Sequence, residues 1–474
     1  MPRKFLIITA LLLAVCSASA AQSLKQLKHQ PPDGALLTFQ LTDGTVMAQG
    51  FGDSDWWRLT PDNTGSYVNG TWTKLATLPA GYVPDAFASA VLADGRLVIE
   101  GGEYNNGAFT LTNLGAIYDP TANTWTSVAP PKNWSYIGDS PALVLPNGKF
   151  LVGNKLTRQM AVLDPKTLTW QAVHSAGKSD FDAEEGWTLL PNGTVFTADV
   201  KNAPNSEIYT PSAGAWASAG STIVDLHSPS PFGCIHYGPG GTLCYYPPGE
   251  IGPAILRPDG TVFVTGSYTS GGSGAGHTAV YSPTAGWSVG PDFPNGDNAG
   301  DSFAVLLPSG HVLVEGGLAS YEFDGTKLTP VPATPGSLML LPTGEVLVGG
   351  TEVYISSGTY SPAWAPAIHT VPATVVRGST YKISGTQFNG LSQAAAFGDE
   401  YETATNYPLV RITNNSTGHV FYARTHDHST MGVATGTKIV STNFDVPAAM
   451  ETGASSLVVV ANGIPSPAVS ITVN

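Results

Sequence analysis

LLPSGHVLVEGG, residues 306–317, reads as an apolar strand, a tight turn at Ser309-Gly310, a second apolar strand and a glycine doublet. Gly310 suits the turn because a residue without Cβ takes positive φ freely. Weaker copies are LTDGTVMAQG (41–50), LADGRLVIEGG (92–102), LPNGKFLVGN (145–154), LPNGTVFTADV (190–200), RPDGTVFVTGS (257–267) and LPTGEVLVGG (341–350). The turn glycines are therefore Gly44, Gly95, Gly148, Gly193, Gly260, Gly310 and Gly344. Spacings of this order are those of four-stranded propeller blades, so the repeat sets the architecture.

A second mark follows most turns: an aromatic or apolar residue, a proline turn, then Trp. It occurs as Tyr118…Trp125, Leu163…Trp170, Tyr209…Trp216 and Tyr281…Trp287. Proline presets the turn, and the aromatic rings offer large areas to bury between adjacent sheets. These rings are assigned to packing rather than to sugar stacking, and the same reading is preferred for Trp56-Trp57. No helical periodicity of useful length occurs after the first 20 residues. Glycine doublet, Tyr and Trp at this period resemble the Kelch repeat. The expected fold class is all-β: a seven-bladed Kelch-type β-propeller over 21–366, with an immunoglobulin-like (early-set) β-sandwich over 367–474. The second unit is indicated by the loss of the repeat after Pro366 and by alternating strands such as Thr380–Ser384 and Ser456–Val460.

Only 12% of the 474 residues are charged and 42% are hydrophobic, which excludes a disordered chain. A net charge of −14 argues against a nucleic-acid partner. Arg3 and Lys4, the apolar run Phe5–Val15 and Ala18-Ser19-Ala20 read as a signal peptide cut after Ala20. That apolar run is too short for a membrane span. A secreted or periplasmic monomer is expected. In such a compartment Cys234 and Cys244 read as one disulfide closing a hairpin-like loop.

The architecture and the segments YARTHDHSTMGV (422–433) and SLVVVANGIPSPAVSITV (456–473) resemble galactose oxidase and its relatives, the copper-radical oxidases. In that family a hairpin of the C-terminal domain rises through the propeller channel and presents a histidine to copper. The resemblance places His426 in that role, with His428 two residues on. The family's Tyr-His pair is absent: no Tyr-His dipeptide occurs, and Gly300-Asp301 stands in the corresponding strand. Its radical needs a lone Cys joined to a Tyr, whereas Cys234 and Cys244 read as a pair. Copper-radical oxidation is therefore not expected, and the fold alone does not supply it.

A window eight to ten residues before each turn glycine holds Asp85, Asp139, Glu184, Glu185, Glu250 and Asp301. In a propeller these positions converge on the channel mouth, beside loops such as EYNNG (103–107), NWSYIGD (133–139), KSDFDAEEG (178–186) and SYTSGGSGAGH (267–277). Two carboxylates about 4 Å apart repel by roughly 4 kcal/mol at an effective dielectric of 20. A cation, a proton, basic neighbours or wide spacing must offset that. A divalent cation held by Asp301, Glu250 and His426 is one solution, calcium for oxygen ligands alone and manganese where an imidazole joins.

Three functions remain open. The favoured one is binding of a glycan or other small polar ligand at the acidic mouth. The second is a carbohydrate hydrolase or lyase using channel carboxylates and His426, or a divergent oxidoreductase. The third is structural, the acids bonding strand-start amides and the histidines filling the channel. Asp180, Asp182, Glu184 and Glu185 around Phe181 are read as a solvated acidic loop. His227, His236 and His277 show no compact metal spacing.

Overall fold

The computed structural model describes residues 22–51, 54–228, 233–237, 241–245, 249–268, 274–398 and 400–474, with backbone only for 233–237 and 241–245. The signal segment lies outside these residues, as do the side chains of Cys234, His236 and Cys244. Backbone pairing does set Cys234 opposite Cys244 on facing antiparallel strands.

The described residues contain strands and two single 3-10 turns but no α-helix. No described helix is long and apolar enough to cross a membrane. Among the described residues, seven antiparallel sheets of four strands are present in the repeat region, one extended by a fifth strand. Their first strands are Thr38–Gln40, Ala88–Val91, Ala142–Val144, Thr188–Leu189, Ala254–Leu256, Ala304–Leu306 and Leu338–Leu340. Neighbouring first strands lie side by side, Ala88–Val91 against Ala142–Val144 and Ala254–Leu256 against Ala304–Leu306. They are buried throughout, because both faces and both edges of these short apolar runs meet protein.

Each turn glycine joins a first strand to the second, with φ between 77° and 84° at all seven. At Gly310 a Cβ would also come within 2.8 Å of the Trp364 ring, so the turn needs glycine twice over. The last sheet takes its outer strand from the N-terminus, Ser23–Gln26 pairing antiparallel with Glu352–Ile355. The far end of the repeat array is thereby tied to its beginning.

Aromatic residues form the seams. Trp125 lies 5.2 Å from Trp56 of the preceding sheet, and Phe263 stacks on Phe323 of the next at 3.8 Å. The indoles of Trp125, Trp170 and Trp287 donate to the carbonyls of Ala76, Ala129 and Ala219, each in or just after the last strand of the sheet before. Trp56 is wholly buried. These contacts match the packing role read from the sequence, since the rings bury large areas between adjacent sheets and three of the indoles also find an acceptor there.

Residues from Ala367 onward form one curled, hydrogen-bonded path of strands around a separate core of Val375, Ile383, Phe388, Ile412 and Phe444. One segment leaves it. Residues 389–398 and 400–407 belong to a finger that enters the repeat region, where Ala395-Ala396 pair antiparallel with Val305 and Ala304. The finger thus runs from the turn-glycine end of that strand toward its start. It is fixed on the way by Gln393 Oε1, which accepts from the Leu189 N–H at 2.6 Å.

Candidate functional site: an acidic cup at the strand starts

Asp85, Asp139, Glu184, Glu250 and Asp301 each stand three or four residues before a first strand. The sheets bring them together. Asp139 and Glu184 both pair with Lys155, the latter at 2.5 Å, and the Glu250 and Asp301 carboxyls interact with each other. Glu103, which follows the glycine doublet of the second sheet, interacts electrostatically with Glu184, Asp301 and Asp85. Glu400, on the finger, interacts with Asp139 and Asp301. Seven carboxylates therefore share this site with the Lys155 ammonium.

The arrangement is a cup. Its floor is buried: Asp139, Lys155 and Glu400 are each 3% exposed. Glu103 and Glu250 are half-buried, and Asp85, Tyr104 and Asp301 form an exposed lip. A cavity of about 230 Å³ opens beside the lip, lined by Val83, Asp85, Tyr104 and Gly107. Tyr401 fixes the finger to the lip, its hydroxyl donating to Asp85 Oδ1 at 2.6 Å and accepting from the Ala86 N–H at 2.8 Å.

Burial raises the pKa of Asp139, Glu103 and Glu400, with neighbouring carboxylates adding to the effect. Glu250 and Asp301 are raised likewise, by burial first and then by Glu184. Burial would lower Lys155, but Asp139, Glu184 and Glu103 outweigh it and hold the ammonium well above its ordinary range. The cup can therefore keep protons on some carboxyls at neutral pH, or give them up to a cation.

Glu185 does not join the cup. The left-handed turn at Glu184 (φ 57°) sends successive carboxylates different ways, and Glu185 bonds Lys178 at 2.9 Å in a second cluster. That cluster replaces the solvated loop expected at 178–186. Asp180, Asp182 and Glu185 are at most 2% exposed, because the loop folds inward over Lys178 and against the strand carrying Glu207.

His426 and His428 stand at the opposite end of the sheets. Their strand rests on the turn-glycine loops: the N–H groups of Thr425 and His428 donate to the carbonyls of Thr42 and Ala93. From Asp85 to Ala93 is about 25 Å of extended chain. His426 bonds Asp427 at 2.7 Å and Asp445 at 3.1 Å. His428 is buried, bonded to Thr442 and parallel to the Tyr407 ring. The segment that enters among the sheets carries Glu400 and Tyr401, so the expected histidine finger is an acidic and phenolic one. A cation site combining Asp301 and Glu250 with His426 is not formed.

With this geometry in place, comparison with known proteins is informative. No protein-family model and no curated protein matches the chain. Among solved structures, a fungal alcohol oxidase of the AA5 family, solved in complex with copper, aligns over 96% of this chain and 100% of its own. The TM-score is 0.50 and the sequence identity 14%. The two chains share a fold. An extracellular domain of the one-component system BT4673 from B. thetaiotaomicron matches 95% of this chain and 58% of its own at TM-score 0.47 and 12% identity. Virginiamycin B lyase from Staphylococcus aureus matches 70% of this chain and 98% of its own at TM-score 0.47 and 10% identity.

Copper is the cofactor that this likeness raises. The cup offers carboxylate and phenol oxygens, a donor set suited to hard cations, and the two histidines singled out by sequence lie at the other end of the sheets. Among the described residues, those of the cup do not fit a copper centre.

Proposed function

We propose that this chain is an exported, monomeric, seven-bladed Kelch-type propeller with an immunoglobulin-like C-terminal domain. In this reading the cup binds a glycan or other small polar ligand through a hard divalent cation. One observation carries it: acids from five sheets and from the finger converge around one ammonium, an excess of negative charge that a bound cation would neutralise. Calcium suits the all-oxygen donor set and its loose coordination, and carbohydrate hydroxyls are good additional ligands for it.

A second reading rests on the interacting Glu250 and Asp301 carboxyls, with Glu250 held up at about 10. Two carboxyls sharing a proton can act as acid and base toward a glycosidic or ester linkage, which would make the protein a carbohydrate-active hydrolase or lyase.

Calorimetric titration of chelator-treated protein with calcium and manganese, then with an oligosaccharide panel, tests the first reading. Binding that requires metal and is lost in both E250Q and D301N supports it. Heat evolution unchanged in both variants rejects the cup as the binding site. Release of new reducing ends or unsaturated products by wild type, abolished in the same variants, would establish the second reading.

A further inference from the structure

The second cluster lies on the fourth sheet, apart from the cup. Asp180 sits on the inward-folded loop, Asp199 follows the strand Val195–Ala198, and Glu207 lies in the strand Asn205–Thr210. One carboxylate oxygen from each lies within 4.8 Å of the others. All three residues are buried, with exposures of 2%, 2% and 4%.

Most of their lone pairs have partners. Lys178 Nζ reaches Asp180 Oδ1 at 2.6 Å, Glu185 Oε1 at 2.9 Å and Glu207 Oε2 at 3.1 Å. Ser179 donates its N–H to Glu207 Oε1 at 2.9 Å and its hydroxyl to Asp199 Oδ2 at 2.6 Å. Asn202 donates its N–H to Asp180 Oδ2 at 3.3 Å. Asp199 Oδ1 is left, fully buried and without a partner. A buried carboxylate oxygen with no donor is costly, so such an atom beside two other carboxylates marks a place for a donor or a cation. One ammonium also falls short of neutralising Asp180, Glu185, Asp199 and Glu207.

We infer that Asp180, Asp199 and Glu207 form a second, buried binding site for a calcium ion, with Asp199 Oδ1 as its open ligand atom. Oxygen donors alone select a hard cation, and carboxylates clustered this closely with little water favour calcium over magnesium, which keeps most of its hydration shell. The ion would pin the loop 178–186 to the fourth sheet. That loop also delivers Glu184 to the cup, so the site would set the position of one cup carboxylate without touching the cup ligand.

Terbium is a calcium surrogate whose emission is excited by a nearby indole, and the Trp216 ring lies 5.3 Å from Lys178 Nζ. Chelator-treated full chain carrying E250Q and D301N, with the cup thereby weakened, is titrated with calcium and with terbium. The expected result is a saturable calcium site with tryptophan-excited terbium emission. Adding D199N or D180N should weaken calcium binding by about tenfold or more. W216F should lower the emission while leaving calcium binding unchanged. Absence of binding in the E250Q/D301N protein overturns the inference and leaves the cup reading intact. So does calcium affinity equal to the parent's in a D199N or D180N variant with native circular dichroism.

Discussion

Tyr401 donates to Asp85 across 316 positions of sequence, and this bond fastens the tip of the finger to the lip of the cup. The same hydroxyl accepts from the N–H of Ala86, a non-glycine residue in left-handed backbone (φ 49°). One phenol thus holds a carboxylate, a strained turn and the end of the finger in register.

Tyr401→Phe keeps the ring and its edge contact with Phe87 but removes both bonds. A lost bond to a carboxylate in a partly buried setting costs about 1–3 kcal/mol. Urea unfolding should register that loss. Calcium-dependent ligand binding at the cup should weaken with it, because Asp85 loses the group that orients it.

Lys155→Met tests the cup's charge balance. The side chain is 3% exposed and faces Asp139, Glu184 and Glu103. Breaking a buried pair by removing one partner typically costs about 3–5 kcal/mol. The deficit should shrink on acidification, since a proton on Asp139 then replaces the missing ammonium. Denaturation midpoints of wild type and variant across pH check this, and a pH-independent deficit would contradict it.

The sheets were legible because their signals are local: seven glycine turns, each flanked by apolar runs and followed by an aromatic seam. The five window positions were legible for the same reason, as offsets from those turns. Glu184 taking the cup and Glu185 turning away depends on one left-handed residue, which no side-chain pattern announces. Lys155 and Glu400 were missed. Lys155 follows the strand Phe150–Gly153 as one loop residue among many. Glu400 reaches the cup only because Ala395-Ala396 pair with a strand some ninety residues earlier in sequence. The resemblance around His426 carried the idea of an entering hairpin but not which hairpin enters. The histidine strand is held at the turn-glycine face by backbone bonds to Thr42 and Ala93 that the sequence does not specify.

Asp182→Asn should change the pH dependence of stability. Burial pushes the Asp182 carboxyl up to about 8, opposed in part by Lys178. A raised carboxyl stabilises the fold while protonated; its contribution is complete below the ordinary value near 3.8 and is lost as pH rises through about 8. Asparagine resembles the protonated form at every pH. In the presence of chelator the variant should match wild type near pH 3 and exceed it by a growing margin up to about pH 8, both being approximate markers either side of the transition. Thermal unfolding at several pH values reads the difference, and parallel curves for the two proteins would contradict it.

The two histidines offer the converse test. Burial, with His426 adjacent, holds His428 down at about 3, so the ring is neutral in the fold. A depressed imidazole stabilises the fold above its ordinary value of 6.5, and that contribution fades as pH falls toward about 3. His428→Gln should therefore weaken the fold at neutral pH, through loss of the Thr442 bond and the face against Tyr407, but flatten its decline in acid. His426→Ala removes bonds to Asp427 and Asp445 at the turn-glycine face, about 25 Å of strand from the cup acids. Ligand binding at the cup should be unchanged in His426→Ala and impaired in Asp301→Asn, measured by the same titration. Equal loss in both variants would mean that the histidine strand is coupled to the cup and would refute a cup completed by Glu400 and Tyr401.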